Sequence, residues 1–595
     1  MKKCCTLLVI LFLQSCQFGQ SSFEVSKTSE EVRMKLKEVL PVLERPNYDV
    51  ILGRTPSQKE LELGRLIFND TILSRNNDVS CATCHLTNHG LADGNALNVG
   101  TLGQGGPSGD DVGSAFAEGV LSVSRSTGED GFGFVGPTFF FRNTLSTVNV
   151  AYRVNEATDN GLFHDGRFGR IHFQVLLPIH TNVEICGTNP IVLNEKGENI
   201  FAEGGPLFDK PVTINHSNSN DDYTGQDTGK FHAQPQIIKG IPYKRKDGSI
   251  SIPNRNECLA ILVAKMRKVP YYQKTFQEVY GEDVTDLNIG RAISSFVMTH
   301  VALNTPYDKF VKGENSLDAS QLRGLAMFMT PIGKEIEVGG KKLKGVGCIN
   351  CHDKGTFGGN GFASLGVRSD SRSPLSRTDF STNRNNGFFS RPRVQRGYLP
   401  NCHVLGSSAL ETTSYVPDIG RANGSFNSDD CFKFRIPPLR NVIETYPYFH
   451  HGTERALGRN ESDFEKRSLL ALKNVVAYHL RGPINPQLYS AYDVQKPFFD
   501  DLYQKDFLVP YYAQNFIDYK LKGPNHVDLF PVTLDDEAIN DVVNFIAYGL
   551  WDKSSMSKGA LGNDVSHPKK VPSGLSPSIT RDNGKQTELP PNGKY

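Results

Sequence analysis

The sequence predicts a mainly α-helical protein built from two related halves in tandem and interrupted by long loop insertions. A Cys-x-x-Cys-His motif occurs twice, at 81–85 and at 348–352. Before each copy, apolar residues recur every three or four positions, which is the period of a helix with one buried face. Two long stretches, 186–256 and 367–430, are polar and show little periodicity, so they are predicted to be surface insertions.

The Cys-x-x-Cys-His motif is typical of c-type haem attachment. The two thiols bond the porphyrin edge, and the adjacent imidazole is the proximal ligand of the iron. Half of a zinc site could use the same thiols, but it needs two further ligands nearby, and the next Cys after Cys84 is Cys186. The repeated motif therefore predicts two covalent haems. Their attachment and iron-ligating residues are Cys81, Cys84, His85, Cys348, Cys351 and His352.

The two motifs lie in similar surroundings. Gly64 and Phe68 stand in the helical segment before the first motif, and Gly324 and Phe328 stand at the same spacing before the second. This shared order predicts a duplicated, cytochrome-c-like unit with one haem in each half. The predicted haem domains are residues 46–315, with the insertion 186–256, and residues 316–552, with the insertion 367–430.

Composition excludes some classes of partner and leaves others open. The chain has 595 residues, which is enough for two or more hydrophobic cores. Its 65 basic and 64 acidic residues are balanced, so nothing indicates a nucleic-acid partner.

The N-terminal sequence predicts an exported protein, and the C-terminal sequence predicts a disordered tail. Lys2 and Lys3 precede a short apolar run, which is typical of a signal peptide rather than of a membrane span. Leu13-Gln14-Ser15-Cys16 resembles a lipobox, which predicts a signal peptide at 1–15, a lipid anchor at Cys16 and a tether at 16–45; an ordinary cleaved signal peptide is the alternative. Residues 553–595 have few apolar groups and are predicted to be disordered.

Four cysteines remain after those assigned to the signal peptide, the lipid and the haems. In an oxidising compartment an even remainder indicates disulfides. The pairs Cys186–Cys258 and Cys402–Cys431 each bracket an insertion, and they are predicted to be bonded, although other pairings of the four would also be consistent with the sequence.

Longer motifs resemble the bacterial di-haem cytochrome c peroxidase superfamily, which includes the methylamine-utilisation di-haem enzyme. The segment "FRNTLSTVN" is followed by Asp165-Gly166-Arg167, then Gln174, Pro178 and Glu184 at the family's spacing. The segment "FKFRIPPLRNVIETYPYFHHG" is similar to the family's second conserved stretch. The resemblance covers roughly 55–185 and 285–555, and the insertions lie outside it.

The resemblance implies a peroxide pocket at the first haem. Reductive cleavage of peroxide needs a group that moves a proton between the two oxygens, and a carboxylate in a partly dry pocket can do so. The family's spacing assigns this acid–base role to Glu184, with Gln174 holding peroxide or water by hydrogen bonds. Without the motif, Glu184 would be taken for an exposed loop carboxylate.

One residue departs from the family pattern between the haems. The family has a Trp before its Asp-Gly-Arg, and this chain has His164. Since imidazole is harder to oxidise than indole, interhaem electron transfer is expected to be slower or to take another route. His164 could instead ligate iron, pack in the core or bond a propionate, and a packed or propionate-bonded role is favoured.

The resemblance also implies a calcium ion between the halves and a sixth ligand for the second haem. The calcium ligands correspond to Asn143 and to the carbonyls of Thr445 and Pro447, and such oxygen ligands suit Ca²⁺. The position that carries Met in the peroxidases, or Tyr in the methylamine enzyme, is His479, which would give this haem two His ligands and a lower potential than Met/His ligation. A surface position for His479 is the alternative.

The first haem has no evident sixth ligand in the sequence. His89 is only four residues beyond His85, which is too close to cross the haem easily. A five-coordinate or water-bound iron is therefore expected at His85.

Three functions follow from these expectations. The first is a periplasmic, lipid-anchored peroxidase that reduces hydrogen peroxide at the first haem with electrons passed through the second, taken from a small cytochrome c or cupredoxin. The second is a di-haem oxidase or oxygenase acting on a protein or organic substrate. The third is an electron carrier without catalysis. Members of the family are often dimers, but no apolar stripe in the sequence indicates a homodimer here.

Overall fold

Helices dominate the part of the chain that the computed structural model describes, which confirms the predicted mainly α class. The described residues are 24–74, 77, 79–94, 142–153, 161–166, 171–180, 185, 212–214, 236–238, 255–359, 361–363, 365, 420–421, 425, 430, 433–450, 452, 463–481, 532–575, 577, 579–582 and 585–588. Among them, no helix has both the length and the apolar character needed to cross a membrane.

The elements follow in chain order. The α-helices are α1 (residues 24–36), α2 (Tyr48–Ile51), α3 (Gln58–Asn69), α4 (Cys81–Cys84), α5 (Ile171–Gln174), α6 (Arg255–Arg267), α7 (Pro270–Tyr280), α8 (Asp286–Val297), α9 (Pro306–Val311), α10 (Ala319–Met329), α11 (Phe464–Arg481) and α12 (Asp536–Asn544), the last continued by a π-helical turn, Phe545–Gly549. The strands form antiparallel pairs: β1 (Val212–Ile214) with β2 (Gln236–Ile238), β3 (Glu335–Val338) with β4 (Lys341–Lys344), β5 (Phe362–Ala363) with β6 (Phe434–Arg435), and β7 (Ile579–Asp582) with β8 (Lys585–Glu588).

The first hydrophobic cluster is centred on the crossing of α3 and α8. The Ser57 side chain caps α3 by accepting from the Glu60 backbone N–H, which satisfies one of the free donors of the first turn. Gly64 lies at the crossing, where an added Cβ would stand 2.1 Å from the Ala292 carbonyl oxygen. The glycine therefore allows close backbone approach. β1 contributes Val212 and Ile214 to this cluster, so the first insertion adds to the core as well as to the surface.

The second cluster repeats this arrangement with α10 and α12. A capping box between Asp318 and Gln321 begins α10. At Gly324 an added Cβ would stand 2.0 Å from the Asp541 carbonyl oxygen, so the second crossing also requires a glycine. Tyr307 and Phe310 of α9 are buried in this second cluster, although the predicted boundary after residue 315 assigned α9 to the first half.

The segment predicted to be a tether packs against the second cluster over residues 24–45. Val32 and Leu36 on α1 are buried there. Arg33 Nε donates to the Phe310 carbonyl at 3.0 Å, and the Tyr307 hydroxyl donates to the Pro41 carbonyl at 2.9 Å. The tether prediction is wrong for these residues because α1 has an apolar face that the second half covers. The predicted signal peptide and Cys16 lie outside the described residues.

The prediction of a disordered tail is wrong for residues 553–575, which are named here the C-terminal strap. The strap returns from the second half to the first, where Ala560 and Val565 are buried in the first cluster. It has too few apolar groups for a core of its own. It needs none, because it covers a core that α3 and α8 have already formed.

Candidate functional site

The first Cys-x-x-Cys-His motif forms one short helix and a tight loop. Cys81 and Cys84 lie at the two ends of α4, and neither is in a disulfide. His85 follows directly, and its Nδ1 donates to the Leu91 carbonyl at 2.8 Å. Leu91 has a φ of 59° and Gly90 a φ of 58°, and this left-handed turn directs the Leu91 carbonyl back towards the imidazole. Burial lowers the pKa of His85 and raises the pKa of Cys81 to about 12.

The second motif has the same local geometry. Neither Cys348 nor Cys351 is in a disulfide, and His352 Nδ1 donates to the Phe357 carbonyl at 2.7 Å. Phe357 is in the left-handed region with a φ of 54°, and in this respect it corresponds to Leu91 in the first loop. Burial is the main cause that lowers the pKa of His352 to about 4, and it raises the pKa of the Cys348 thiol to about 12.

Both motif histidines are prepared for ligation through Nε2. A metal-ligating histidine normally donates its other ring N–H to a carbonyl, which fixes the tautomer and the ring orientation. Each ring also lies near the phenylalanine that follows the crossing glycine, with centroids 6.1 Å apart for Phe68 and His85 and 6.4 Å apart for Phe328 and His352. Two cysteines outside any disulfide, beside an imidazole that donates its Nδ1–H to a carbonyl, fit a covalently bound haem in each half.

A cavity of about 300 Å³ opens beside the second motif. Cys348, Cys351 and His352 line it together with His479 from α11. His479 Nδ1 donates to the Val475 carbonyl at 2.7 Å, and the proximity of His479 further lowers the pKa of His352. The structure therefore brings these two imidazoles, 127 positions apart in the chain (479 − 352), to one cavity.

Two arginines on the cavity wall were not predicted from the sequence. Arg153 and Arg435 line the cavity, and Arg153 donates to the Ile436 carbonyl. Guanidinium groups at a haem cavity fit the carboxylates of the porphyrin. Nothing in the local sequence around either arginine distinguishes it from a surface residue.

The predicted calcium ligands meet where the two halves touch. Asn143 Nδ2 donates to the Pro447 carbonyl at 2.9 Å, and the Asn143 backbone N–H donates to the His450 carbonyl at 2.7 Å. Thr445 also lines the cavity, and its hydroxyl donates to the Val442 carbonyl at 3.0 Å. Within the described stretches no group of three or more His, Cys, Asp or Glu side chains is arranged to hold a metal ion, so a cation at this place would depend on amide and carbonyl oxygens.

His164 lies in the same region. Its Nε2 donates to the Asn143 carbonyl at 2.8 Å, and it lines the cavity. The next residue, Asp165, is fully buried and pairs with Arg142 at 2.8 Å. His164 is therefore fixed by the backbone that also carries the Asn143 side chain.

The internal repeat extends to the segments around His164 and His450, beyond the helices and motifs in which the sequence predicted it. Residues Phe163 and Phe449 have φ values of 69° and 68°, and Gly166 and Gly452 have 66° and 61°. His164 and His450 occupy equivalent places between them. His450 stacks on Phe434 with ring centroids 3.7 Å apart. The signal that could have revealed the repeat is the pair of segments Phe163-His164-Asp165-Gly166 and Phe449-His450-His451-Gly452.

The predicted peroxide pocket is described only in part. Gln174 is half-buried at the end of α5, and α5 packs against α8, where an added Cβ on Gly290 would stand 2.4 Å from the His172 carbonyl oxygen. Glu184 lies outside the described residues. Cys258 is disulfide-bonded, and the other cysteines of the predicted pairs, Cys186, Cys402 and Cys431, also lie outside them.

Comparison with known proteins gives a consistent result. The family model described as di-haem cytochrome c peroxidase matches residues 58–203 and 242–316. The cytochrome c peroxidase of Escherichia coli is 29% identical over 192 residues, which are 32% of this chain and 30% of that protein. The cytochrome c551 peroxidase of Pseudomonas aeruginosa is 22% identical over 404 residues, which are 67% of this chain and 70% of that protein. These matches confirm the resemblance predicted from the motifs.

Other relatives match over shorter lengths. The methylamine utilization protein MauG of Methylophilus methylotrophus is 29% identical over 113 residues, 19% of this chain and 30% of that protein. The aligned region spans between 30% and 46% of the first curated relatives. Among solved structures, the di-haem peroxidase BthA of Burkholderia thailandensis aligns with a TM-score of 0.44 at 16% identity, over 86% of this chain and 91% of that one.

Proposed function

We propose that this chain, as a relative of the di-haem cytochrome c peroxidases, is an oxidoreductase that reduces hydrogen peroxide to water with electrons from a small redox protein. The observation that carries the proposal is the repeated motif. In each half, a Cys-x-x-Cys-His histidine donates Nδ1–H to a backbone carbonyl and stands beside two cysteines that are not in a disulfide. Haem c would supply the peroxide-binding iron in the first half and an electron store in the second.

The overall reaction consumes one peroxide, two protons and two electrons and forms two waters. Glu184 moves a proton from one peroxide oxygen to the leaving one, and Gln174 holds the peroxide or water by hydrogen bonds. His85 would hold the iron of a first haem and leave a position there for peroxide or water. His352 and His479 would hold the iron of a second haem, and the cavity that they share supports this assignment.

The finer architecture belongs to the same proposal. Each half is a cytochrome-c-like haem domain, and the two lie in tandem with long loop insertions. His164 lies between the haems in place of the family's Trp, and its hydrogen bond to the Asn143 backbone supports a structural role there. Asn143, Thr445 and Pro447 hold a calcium ion between the halves.

The cell location follows from haem attachment and from the N-terminal sequence. The chain is exported to the periplasm, anchored to the outer membrane by a lipid on Cys16, and reduced by a cytochrome c or cupredoxin. The disulfide at Cys258 supports an oxidising compartment.

A steady-state assay tests the peroxidase. A reduced cytochrome c should be oxidised with hydrogen peroxide as the sole oxidant, two donor molecules for each peroxide. Glu184→Gln should lower the turnover number roughly 100-fold or more because the proton transfer is lost, while the exposed Glu314→Gln serves as the matched control. Unchanged turnover in Glu184→Gln would remove Glu184 from the mechanism.

The alternatives give different results in the same experiments. The absence of Met at position 479 and the long insertions favour a di-haem oxidase or oxygenase of a protein or organic substrate as the second candidate. It predicts that peroxide reacts with the first haem while donor oxidation stays slow. An electron carrier predicts two low-spin EPR signals that peroxide does not change, even after partial reduction.

A further inference from the structure

The C-terminal strap is attached beside the first haem motif at several points. Ala560 N–H donates to the Thr299 carbonyl at 2.9 Å, Gln58 Nε2 donates to the Leu561 carbonyl at 3.0 Å, and Arg65 donates to the Ser566 carbonyl at 2.8 Å. Further along, the Ser573 hydroxyl donates to Asp70 at 2.6 Å. These contacts attach the strap to α3 and to the end of α8.

One strap residue, His567, connects α3 with the loop that carries His85. His567 is 7% exposed. Its Nδ1 lies 2.5 Å from Asn69 Oδ1, and its Nε2 accepts from the Thr87 backbone N–H at 3.3 Å. Asn69 Nδ2 donates to the Arg65 carbonyl at 2.9 Å, which fixes the amide so that its oxygen faces His567. His567 is therefore neutral, with its proton on Nδ1.

The Thr87 N–H belongs to the loop that orients the proximal imidazole. The loop closes through Leu86 N–H to the Ala92 carbonyl at 2.8 Å and Leu91 N–H to the Leu86 carbonyl at 2.7 Å. Its Leu91 carbonyl accepts the proton of His85 Nδ1. Three hydrogen bonds, joined by the backbone of Leu86–Thr87 and of Leu91, thus connect the strap to His85.

The loop of the second motif is closed differently. The residue equivalent to Thr87, two positions after the histidine, is Lys354, and its N–H donates to the Gly358 carbonyl within the same loop at 3.2 Å. The second haem loop is therefore closed by its own backbone at this position, whereas the first takes an acceptor from a residue 480 positions away in the chain.

We propose that His567 is a positioning residue for the first haem, holding the loop of its proximal ligand through the Thr87 N–H. The strap thereby makes the geometry of the first iron site depend on the C-terminal end of the chain. This inference rests on the proposed haem in the first half. It does not depend on the reaction that this haem performs.

The test uses EPR and a redox titration of the full-length, haem-loaded protein, with the second haem as an internal control. His567→Leu removes both hydrogen bonds, and we expect its first-haem signal and midpoint potential to shift while the second haem keeps the wild-type values. His567→Gln keeps an acceptor for Thr87 and should restore the wild-type first-haem signal.

A second variant removes only the donor. Thr87 is the first residue of a 3₁₀ turn, and Leu86 before it is extended, with a ψ of 133°, so proline is compatible at this position. Thr87→Pro leaves His567 bonded to Asn69 and should shift the first-haem signal as His567→Leu does. It keeps the test decisive if His567→Leu fails to fold.

Two results would overturn the inference: a wild-type first-haem signal in both His567→Leu and Thr87→Pro, or equal shifts of both haems. A pyridine haemochrome assay on the wild-type protein distinguishes failure of this inference from failure of the proposed haem binding. Fewer than two haems per chain would contradict haem binding itself. Absence of peroxidase turnover with both haems present would leave the His567 result interpretable.

Discussion

At the scale of single residues, the candidate site depends on which ring nitrogen of each histidine is available. His85, His352 and His479 each donate Nδ1–H to a backbone carbonyl, so in each neutral ring Nε2 is the nitrogen that carries the lone pair a metal needs. The carbonyls for His85 and His352 come from left-handed residues in the following loop, while that for His479 comes from its own helix. All three hydrogen bonds are therefore local. The placement of α11 decides only that His479 reaches the cavity of His352.

Replacing His479 tests the ligand of the second haem. His479→Met should raise the midpoint potential of that haem, because Met/His ligation favours the reduced state relative to ligation by two histidines. A redox titration with optical detection measures the change. His172→Gln on α5 is the control, and an unchanged second potential in His479→Met would contradict ligation by His479.

Buried neutral histidines predict sensitivity to acid. Burial lowers the pKa of His89 and His567 to about 4 and that of His300 to about 3. In the unfolded chain these groups titrate near 6.5, so below that pH the unfolded state binds more protons and stability falls as the pH approaches 4. As the pH falls from 7 to the lowered pKa, each of these histidines reduces the free energy of unfolding by on the order of 3 kcal/mol.

Denaturant unfolding between pH 7 and pH 4 measures this dependence. His567→Gln, which cannot titrate, should lose less stability than the wild type over the same range. Buried Glu444 changes stability in the opposite direction, because burial raises its pKa to about 7. The stability that its protonated form contributes is lost as the pH rises through that value. Equal losses in His567→Gln and wild type would show that His567 is not buried as a neutral group.

At the scale of elements, the two helix crossings determine where each haem motif can lie. Gly64 and Gly324 let the backbones of α3 and α8, and of α10 and α12, approach closely. Four residues later on each helix, Phe68 and Phe328 reach the motif histidine. In the second half, α12 continues as a π-helical turn, Phe545–Gly549, whereas α8 in the first half ends at Val297.

Alanine at a crossing glycine should separate the helices. Gly64→Ala places a Cβ 2.1 Å from the Ala292 carbonyl oxygen and 2.8 Å from Phe296 Cβ, so the helices must shift, at a cost of about 1–3 kcal/mol. Chemical denaturation of the haem-loaded protein measures it. Gly361→Ala, which meets nothing within 4 Å, is the control. A stability equal to that of the control would contradict close packing at this crossing.

At the scale of the whole molecule, the halves are connected at both ends of the chain and through the first haem loop. The strap carries the C-terminal side back to the first cluster. In the first haem loop, an added Cβ on Gly90 would stand 2.9 Å from Glu444 Cβ, and the His89 ring packs edge-on against Phe464 of α11 with centroids 4.7 Å apart. Asn143 and Pro447 connect the halves at the proposed calcium site.

Removal of calcium should weaken this connection. A ligand that binds only the folded state stabilises it, so a chelator should lower the unfolding temperature of the wild-type protein, and added Ca²⁺ should restore it. Asn143→Ala should have a lower unfolding temperature that neither treatment changes. The absence of calcium from the purified protein, together with an unfolding temperature that neither the chelator nor added Ca²⁺ changes, would contradict the calcium site.

The sequence by itself determined the features that short stretches encode. The motifs give the thiols, the proximal histidines and the loops that orient them, because those contacts lie within a few residues. Helical periodicity and the spacing of Gly64 and Phe68 give the repeated helices for the same reason. The longer motifs give the resemblance to the peroxidases and therefore the residues to test.

Only the tertiary structure decided which distant segments meet. It brought His479 to the cavity of His352 and placed Arg153 and Arg435 on the wall of that cavity. It also packed residues 24–45 and the C-terminal strap onto the two clusters. Composition predicted a free tether and a disordered tail because it counts the apolar groups within a segment. A segment that covers an existing core needs few such groups, since the surface that it buries belongs mostly to its partner and its polar groups bond to that partner.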